Sequence, residues 1–393
     1  MSGQTTRRQF LKDTALVAGA IAVLNPMQAL AESAPRPTIK YPKGGAEHCI
    51  FIWLGGGAAQ IDMWDPKRVG DPKAKKAGSA YPAIDTAIPG VQVTEHLGQC
   101  AKILDRFCLL RTVNHDTKDE HAAATNRMHT GRPVSGTIVY PSIGSIVANQ
   151  RGKVTKGMPA YVVMGYPNLT RGPGFLGAQD SYIYLIDTEA GPVGLRRPSG
   201  ISDTRQTRRE QLLSGLRSGF RQRTSTDPAV KNYDSVIEEA FALGRGEFMN
   251  AFQLTNESGG LRESYGGEFG QRCLLARRLV QRGVRFIEVS FNLNFINGTG
   301  WDTHNEGQEN QHILIRQLDQ ALASLVLDLE KHKLSDKTLV VVATEFGRPA
   351  QFDDGGGRGH HSGSFSVVTA GGGLKNGQAI GVTNELAMKI EDR

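Results

Sequence analysis

The sequence predicts a three-layer α/β/α domain, with a mostly parallel central sheet and one helical insertion. Strand-like and helix-like segments alternate through most of the 393 residues. Several strand candidates are short, uninterrupted apolar runs, as in "KTLVVVATEFG", the pattern of central strands buried on both faces. Acids and histidines gather where those runs end, and open α/β sheets bind ligands at that edge.

The strands read as "HCIFIWL", "CLLRTV", "MPAYVVMG", "VRFIEVSF", "KTLVVVATEFG" and "SFSVVTAGGG". Helices are expected at "LGQCAKILDRF", at "DEHAAATNRMHTG" closed by Gly131, and at "YPSIGSIVANQRG". Two more follow at "GQRCLLARRLVQRG" and "ENQHILIRQLDQALASLVLDLEKHKL". Residues 66–98, with four prolines, read as a surface loop, and 196–256, polar and basic without strand signals, as a helical insertion. The main domain is expected over 46–393, after a proline-rich linker at 32–45.

Residues 1–31 have the layout of a twin-arginine signal peptide. Arg7-Arg8 precedes Phe10-Leu11-Lys12, an apolar stretch runs from Ala15 to Leu24, and "ALA" ends the segment as a cleavage site. The expectation is cleavage near Ala31, passage through the twin-arginine translocase, and a periplasmic or secreted protein with no stable membrane span, since the apolar stretch falls short of the roughly 20 residues a span needs. Losing Arg7, Arg8, Lys12 and Asp13 takes the net charge from +7 to +5. That mild charge is scattered along helical segments such as "RREQLLSGLRSGFRQR", without interleaved aromatics, which argues against a nucleic-acid platform and for a solvated helix face. The four cysteines form no C-x-x-C pair, which excludes a zinc ribbon; Cys49 and Cys273 read as core.

Asp62 and Asp65 follow the first strand, and the glycines of "LGGGAAQ" are expected to stop it so that acids can enter a site. His115, Asp116 and His121 follow the second, with His129 nearby. Asp302, His304 and Glu306 follow "VRFIEVSF", and Glu345 and Arg348 follow "TLVVVAT". His360-His361 stand just before the last strand. Carboxylates with imidazoles, and no thiolates, form the ligand set of a divalent ion such as zinc, manganese or iron. Asp302 and His304, two apart, share a face when extended; adjacent His360 and His361 cannot, so one is the better ligand.

The stretches "GGGAAQIDMWDPK", "HTGRP", "GQRCLLARRLVQRGVRFIEV", "GWDTH", "TEFGR" and "GRGHHSGSFSVVTAGGGLKNG" resemble domain-of-unknown-function family 1501, exported sulfatase-like proteins of the alkaline phosphatase superfamily. The resemblance implies an alkaline phosphatase-like fold with one or two zinc, manganese or calcium ions, held by Asp62, Asp302, His304, Glu345 and His360 or His361. It also implies hydrolysis of a small anionic phosphate or sulfate ester, with Arg348, Arg132 or Arg358 holding the anion. Sulfatase-like enzymes carry a Cys or Ser nucleophile about nine residues before the threonine of "TGR". In this chain that position is His121, so His121, Thr125 or water activated by the metal takes the role. Gly359 stands in "GRGHH" where the family has an Asp, removing one carboxylate. The missing Ser or Cys favours a rival class, a non-catalytic exported binding protein that retains the fold.

Replacing Arg7-Arg8 with Lys-Lys is expected to leave uncleaved precursor in the cytoplasm, scored by cell fractionation and immunoblotting. Unchanged export would exclude the twin-arginine route.

Overall fold

The computed structural model describes residues 44–393 except 156, 167–168, 198, 225, 246, 292–299 and 305–306. The expected signal peptide, nearly all of the linker, and Glu306 lie outside the described residues.

The strands are β1 (His48–Trp53), β2 (Ala83–Asp85), β3 (Gln92–Thr94), β4 (Phe107–Val113), β5 (Tyr161–Met164), β6 (Ile183–Leu185), β7 (Phe286–Ser290), β8 (Thr338–Ala343), β9 (Phe365–Gly371), β10 (Gln378–Ile380), β11 (Val382–Thr383) and β12 (Ile390–Asp392). The α-helices are α1 (Gly98–Lys102), α2 (His121–Thr130), α3 (Ile143–Arg151), α4 (Asp203–Arg223), α5 (Pro228–Arg245), α6 (Gly259–Tyr265), α7 (Glu268–Gln281) and α8 (Gly307–Lys331). Eight strands form one sheet in the order β10-β4-β9-β8-β1-β7-β5-β6. Every neighbouring pair is parallel except those of β9, which runs antiparallel to β4 and β8.

β1 shows how the sequence builds the three layers. Its side chains alternate, so Ile50 and Ile52 enter one core with Leu275 and Leu279 of α7 and Leu318 and Leu322 of α8. Phe51 and Trp53 enter the other with Ala148 of α3, and Met128 of α2 packs against that group. Burial on both faces is why the run reads as continuously apolar.

Four readings are refined. Residues 66–98 contain the β2–β3 hairpin. The helix expected over "LGQCAKILDRF" stops at Lys102, and a 3-10 turn at Leu104–Arg106 leads directly into β4. Residues 196–256 contain α4 and α5, and edge strand β6, which the sequence did not announce, comes before them. All four cysteines are free; Cys273 is buried as read, and Cys49 is only partly so.

A buried ionic cluster pins α2 to the sheet. Glu288 of β7 is fully buried between β1 and β5 and accepts from Arg171 Nε at 2.5 Å and from the Tyr161 hydroxyl at 3.3 Å. His129, near the end of α2, places Nε2 3.4 Å from the same carboxylate, while its Nδ1 bonds the Thr125 carbonyl at 2.9 Å. Its ring stacks edge-on against Trp53 at 4.4 Å. Burial pushes the Glu288 carboxyl up, but Arg171 and His129 outweigh it and bring it down to about 2. Glu288→Gln leaves Arg171 buried without its counter-charge and is expected to cost about 3–5 kcal/mol, measured by denaturant titration. With its folded value below the ordinary 4.5, Glu288 stabilises fully above 4.5 and progressively less as pH falls toward 2. The stability gap between parent and variant should therefore narrow across that acid window, and a constant gap would exclude this role.

Candidate metal centre

The carboxyl ends of β1, β4, β7 and β8 lie at one edge of the sheet, and β9, being antiparallel, begins there. This explains why the centre's residues follow β4, β7 and β8 in the sequence but precede β9.

The glycines after β1 admit backbone rather than Asp62. Gly56 has φ +119°, and a Cβ there would sit 2.4 Å from the Asp302 amide nitrogen. Gly57, at φ +83°, would press on the Phe346 ring at 2.7 Å. Only glycine lets the Trp301–Asp302 segment and the Phe346–Arg348 turn approach the strand end together.

At this junction four groups face Asp302 Oδ1: Arg348 Nη2 at 2.5 Å, His304 Nε2 at 3.1 Å, His360 Nε2 at 3.2 Å and His121 Nε2 at 3.4 Å. His304 Nε2 is also 3.2 Å from His360 Nε2. Donor atoms of His121, Asp302 and His360 all lie within 4.8 Å of one another. His121 opens α2, and its Nδ1 bonds Glu345 Oε1 at 2.7 Å, leaving Nε2 buried with no aligned hydrogen bond. Phe346 packs against the His121 and His360 rings at 4.8 and 4.6 Å and fixes their planes.

Burial raises the Asp302 carboxyl, but His121, His360 and Arg348 overcome it and hold it well below the carboxylate range. Burial lowers His121, yet Asp302 and Glu345 push it up to about 9. Burial lowers His304, opposed by Asp302 and assisted by Arg348.

The donor set fits a metal ion. Ligands of one tetrahedral ion at bond lengths of about 2.0–2.1 Å stand about 3.4 Å apart, close to the separations of His121, His304 and His360 from Asp302 and of His304 from His360. His121 also has the wiring of a ligating histidine, with one nitrogen on a carboxylate and the other aimed inward. His304 resembles it, with Nδ1 3.7 Å from Asp353 Oδ2.

The structure therefore brings together Asp302, His304, His360 and His121. Glu345 joins through His121, because its oxygens also take the Gly56 amide at 2.7 Å and the Thr344 hydroxyl at 3.2 Å. Asp62 does not join. It is fully buried and forms a two-point ion pair with Arg358 at 2.8 and 2.9 Å, with Ala80 N–H and Gln308 Nε2 completing its bonds. Asp65 is likewise taken, by Lys67 at 3.0 Å. His361 also stays out. Its backbone pairs with Gly347, and the alternation of side chains turns its ring to the Met388 carbonyl at 3.0 Å. His115 bonds the Glu345 carbonyl at 2.6 Å and braces the loop.

The arginines expected to hold an anion are placed otherwise. Arg358 is consumed by Asp62 and by the carbonyls of Gly78, Pro349 and Ala350. Arg348 is fully buried and donates to the carbonyls of Gly56, Gly57, Trp301, Arg358 and Gly359 besides Asp302. Arg132 is exposed past the far end of α2, over the Tyr140 ring. The start of α2 is capped by Glu120, which accepts from Ala122 N–H at 2.8 Å and Ala123 N–H at 2.5 Å, so these N–H groups are not open to an anion. Thr125 lies one turn after His121, and among the described residues no base bonds its hydroxyl. Sequence reasoning missed Asp353 and Gln60; Gln60 binds the backbone N–H and C=O of Arg348 at 2.9 Å each. A lone Gln after a glycine turn carries no signal of that role.

Fold and site define an α/β protein with an acid–histidine centre at the carboxyl edge of its sheet. The chain belongs to the family described as protein of unknown function (DUF1501), whose profile matches residues 46–393. The sequence matches none of the curated proteins. Among solved structures, the lipoteichoic acid synthase LtaP from Listeria monocytogenes is similar at 8% identity and a TM-score of 0.40, covering 86% of this chain and 68% of that one. The alkaline phosphatase from the Antarctic bacterium TAB5 is similar at 12% identity and a TM-score of 0.35, covering 86% and 95%. The PsFucS1 sulfatase from Pseudoalteromonas sp. is similar at 10% identity and a TM-score of 0.38, covering 92% and 67%. At these scores the likeness carries no inference about chemistry.

Asp62→Ala is expected to destabilise by about 3–5 kcal/mol, because Arg358 is left buried and unpaired, while the folded fraction keeps the parent's metal content. Denaturant titration and elemental analysis measure the two effects. Loss of metal at full stability would return Asp62 to the centre.

Proposed function

We propose that this chain is an exported, metal-dependent hydrolase of phosphate or sulfate esters. The convergence of His121, Asp302 and His360, with His304 beside them, carries the reading. It places a compact nitrogen-and-oxygen donor set at the sheet edge where α/β proteins bind ligands. Of zinc, manganese and calcium, the imidazole-rich set fits zinc best, since calcium takes oxygen ligands. A divalent ion held by His121, Asp302, His304 and His360 would supply Lewis acidity toward a phosphoryl or sulfuryl oxygen and activate water for attack. The protein's own part is positional. Arg348 fixes Asp302, Glu345 orients His121, and Phe346 sets the ring planes. Thr125, without a base, is assigned to packing.

The twin arginine and the small-residue cleavage site support export of a folded protein to the periplasm or beyond. A second reading, a non-catalytic binding protein with the same centre, draws on one observation. Arg348 and Arg358 are fully committed and Glu120 caps α2, so a substrate anion would have to be held by the ion itself.

Elemental analysis of the purified protein, with turnover of p-nitrophenyl phosphate and p-nitrophenyl sulfate with and without added zinc, tests both. Asp302→Ala is expected to lose the metal and to cut turnover by roughly three orders of magnitude, the scale of losing several kcal/mol of transition-state stabilisation. Thr125→Ala is expected to leave both unchanged. Bound metal without turnover of either ester selects the binding protein. A folded chain that takes up no metal excludes both readings.

A further inference from the structure

Outside the centre, one element presents a surface that nothing among the described residues covers. Helix α4 has no buried residue along its 21 residues. Leu212, Leu216 and Phe220 are 65%, 72% and 50% exposed, far more than a helix docked on its own domain would leave. Arg205, Arg209, Leu212, Leu216, Phe220 and Arg223 follow one another at spacings of four, three, four, four and three residues, so they share one face. That face is apolar in the middle and cationic at both ends.

The rest of the helix explains which side looks outward. Arg217 and Arg221 pair with Asp234 and Glu238 of α5, so this side of α4 is turned to its neighbour. Among the described residues no acid pairs with Arg205, Arg209 or Arg223, and all three are exposed. The expected solvated face thus holds three large apolar side chains, which water does not favour.

The charges choose the partner. Packed against a second copy of itself, in parallel or antiparallel, the face would set arginines against arginines at both ends. An anionic lipid surface suits it at every position. The leucines and phenylalanine enter the boundary between headgroups and acyl chains, and the arginines bind lipid phosphates at either end while their stems lie along the apolar zone. No described helix is long and apolar enough to cross a membrane, so the contact is peripheral.

We infer that α4 docks the protein on anionic membrane surfaces through the Leu212–Leu216–Phe220 stripe and its flanking arginines. The full chain carrying Leu216→Cys, labelled there with an environment-sensitive nitrobenzoxadiazole dye, reports on this face alone, whatever other segment binds lipid. The labelled parent with Leu216 intact corrects for dye on native cysteines. Expected is a blue-shifted emission on phosphatidylglycerol vesicles and none on phosphatidylcholine vesicles. Reversal of the flanking charges (Arg205→Glu with Arg209→Glu) should weaken the response to lipid about tenfold or more, as losing two surface arginines near an anionic bilayer would. Arg205→Gln with Arg209→Gln should fall between, and unchanged circular dichroism would show that the exposed substitutions leave the fold intact. Four outcomes overturn the inference: no shift on anionic vesicles, an equal shift on neutral ones, a shift that grows with protein concentration without lipid, which indicates a second copy, and a response to polyglutamate but not to vesicles, which indicates an acidic protein.

Discussion

The guanidinium of Arg348 is the contact on which the rest of the centre depends. It is fully buried and links the glycine turn after β1, the Trp301–Asp302 segment after β7 and the Arg358–Gly359 segment before β9. Arginine suits this place because its planar fork donates in several directions while keeping its charge. Lysine would leave several of the carbonyls that Arg348 now serves without a donor. The cation also sets the electrostatics, because it lies against Asp302 and helps keep that carboxylate ionised among three histidines. Gln60 holds the backbone of Arg348 from the other side, so an uncharged residue secures the charged one.

The layout of the fold was legible because it rests on periodic patterns. β1, β7 and β8 announce themselves as apolar runs, and α7 and α8 as amphipathic segments. The edge hosting the centre was legible too, since five junctions rich in acid and histidine have one place to meet. What stayed hidden was which side chain at each junction turns inward. Asp62 and Asp302 are equivalent as letters after strands. One is cancelled by Arg358, nearly three hundred positions away, and the other is held by Arg348. His360 and His361 differ only in register, which the Gly347–His361 backbone pairing decides. Sequence shows neither a distant counter-charge nor a bridge of one residue.

The same logic explains why the expected anion-binding arginines were misplaced. A guanidinium beside a glycine-rich turn reads as a substrate clamp when the turn is imagined open. Here the turns are closed on themselves, and their carbonyls need donors. Arg348 and Arg358 satisfy those carbonyls, so they build the site's walls rather than its floor. Glu120 does the corresponding work at the start of α2, where its carboxylate takes the N–H groups an outside anion would want. The centre is therefore rich in metal-type donors and poor in free cations, and attraction for an anion would have to come from a bound ion.

Charge placement separates the inside of this protein from its outside. Arg171, Arg277, Arg348 and Arg358 are buried, each against a carboxylate. A buried charge without a partner is too costly to keep, so interior arginines bring their acids with them and add nothing to the outward field. The net positive charge of the chain has to sit where water or a partner can receive it, and α4 is one such place, with Arg205, Arg209 and Arg223 exposed and lacking an acid partner among the described residues. Charge left over on a surface helix is ordinary, and solvent accepts it. Exposed leucines lined up with that charge are another matter, because water penalises the one and tolerates the other, whereas an anionic bilayer accommodates both on a single face.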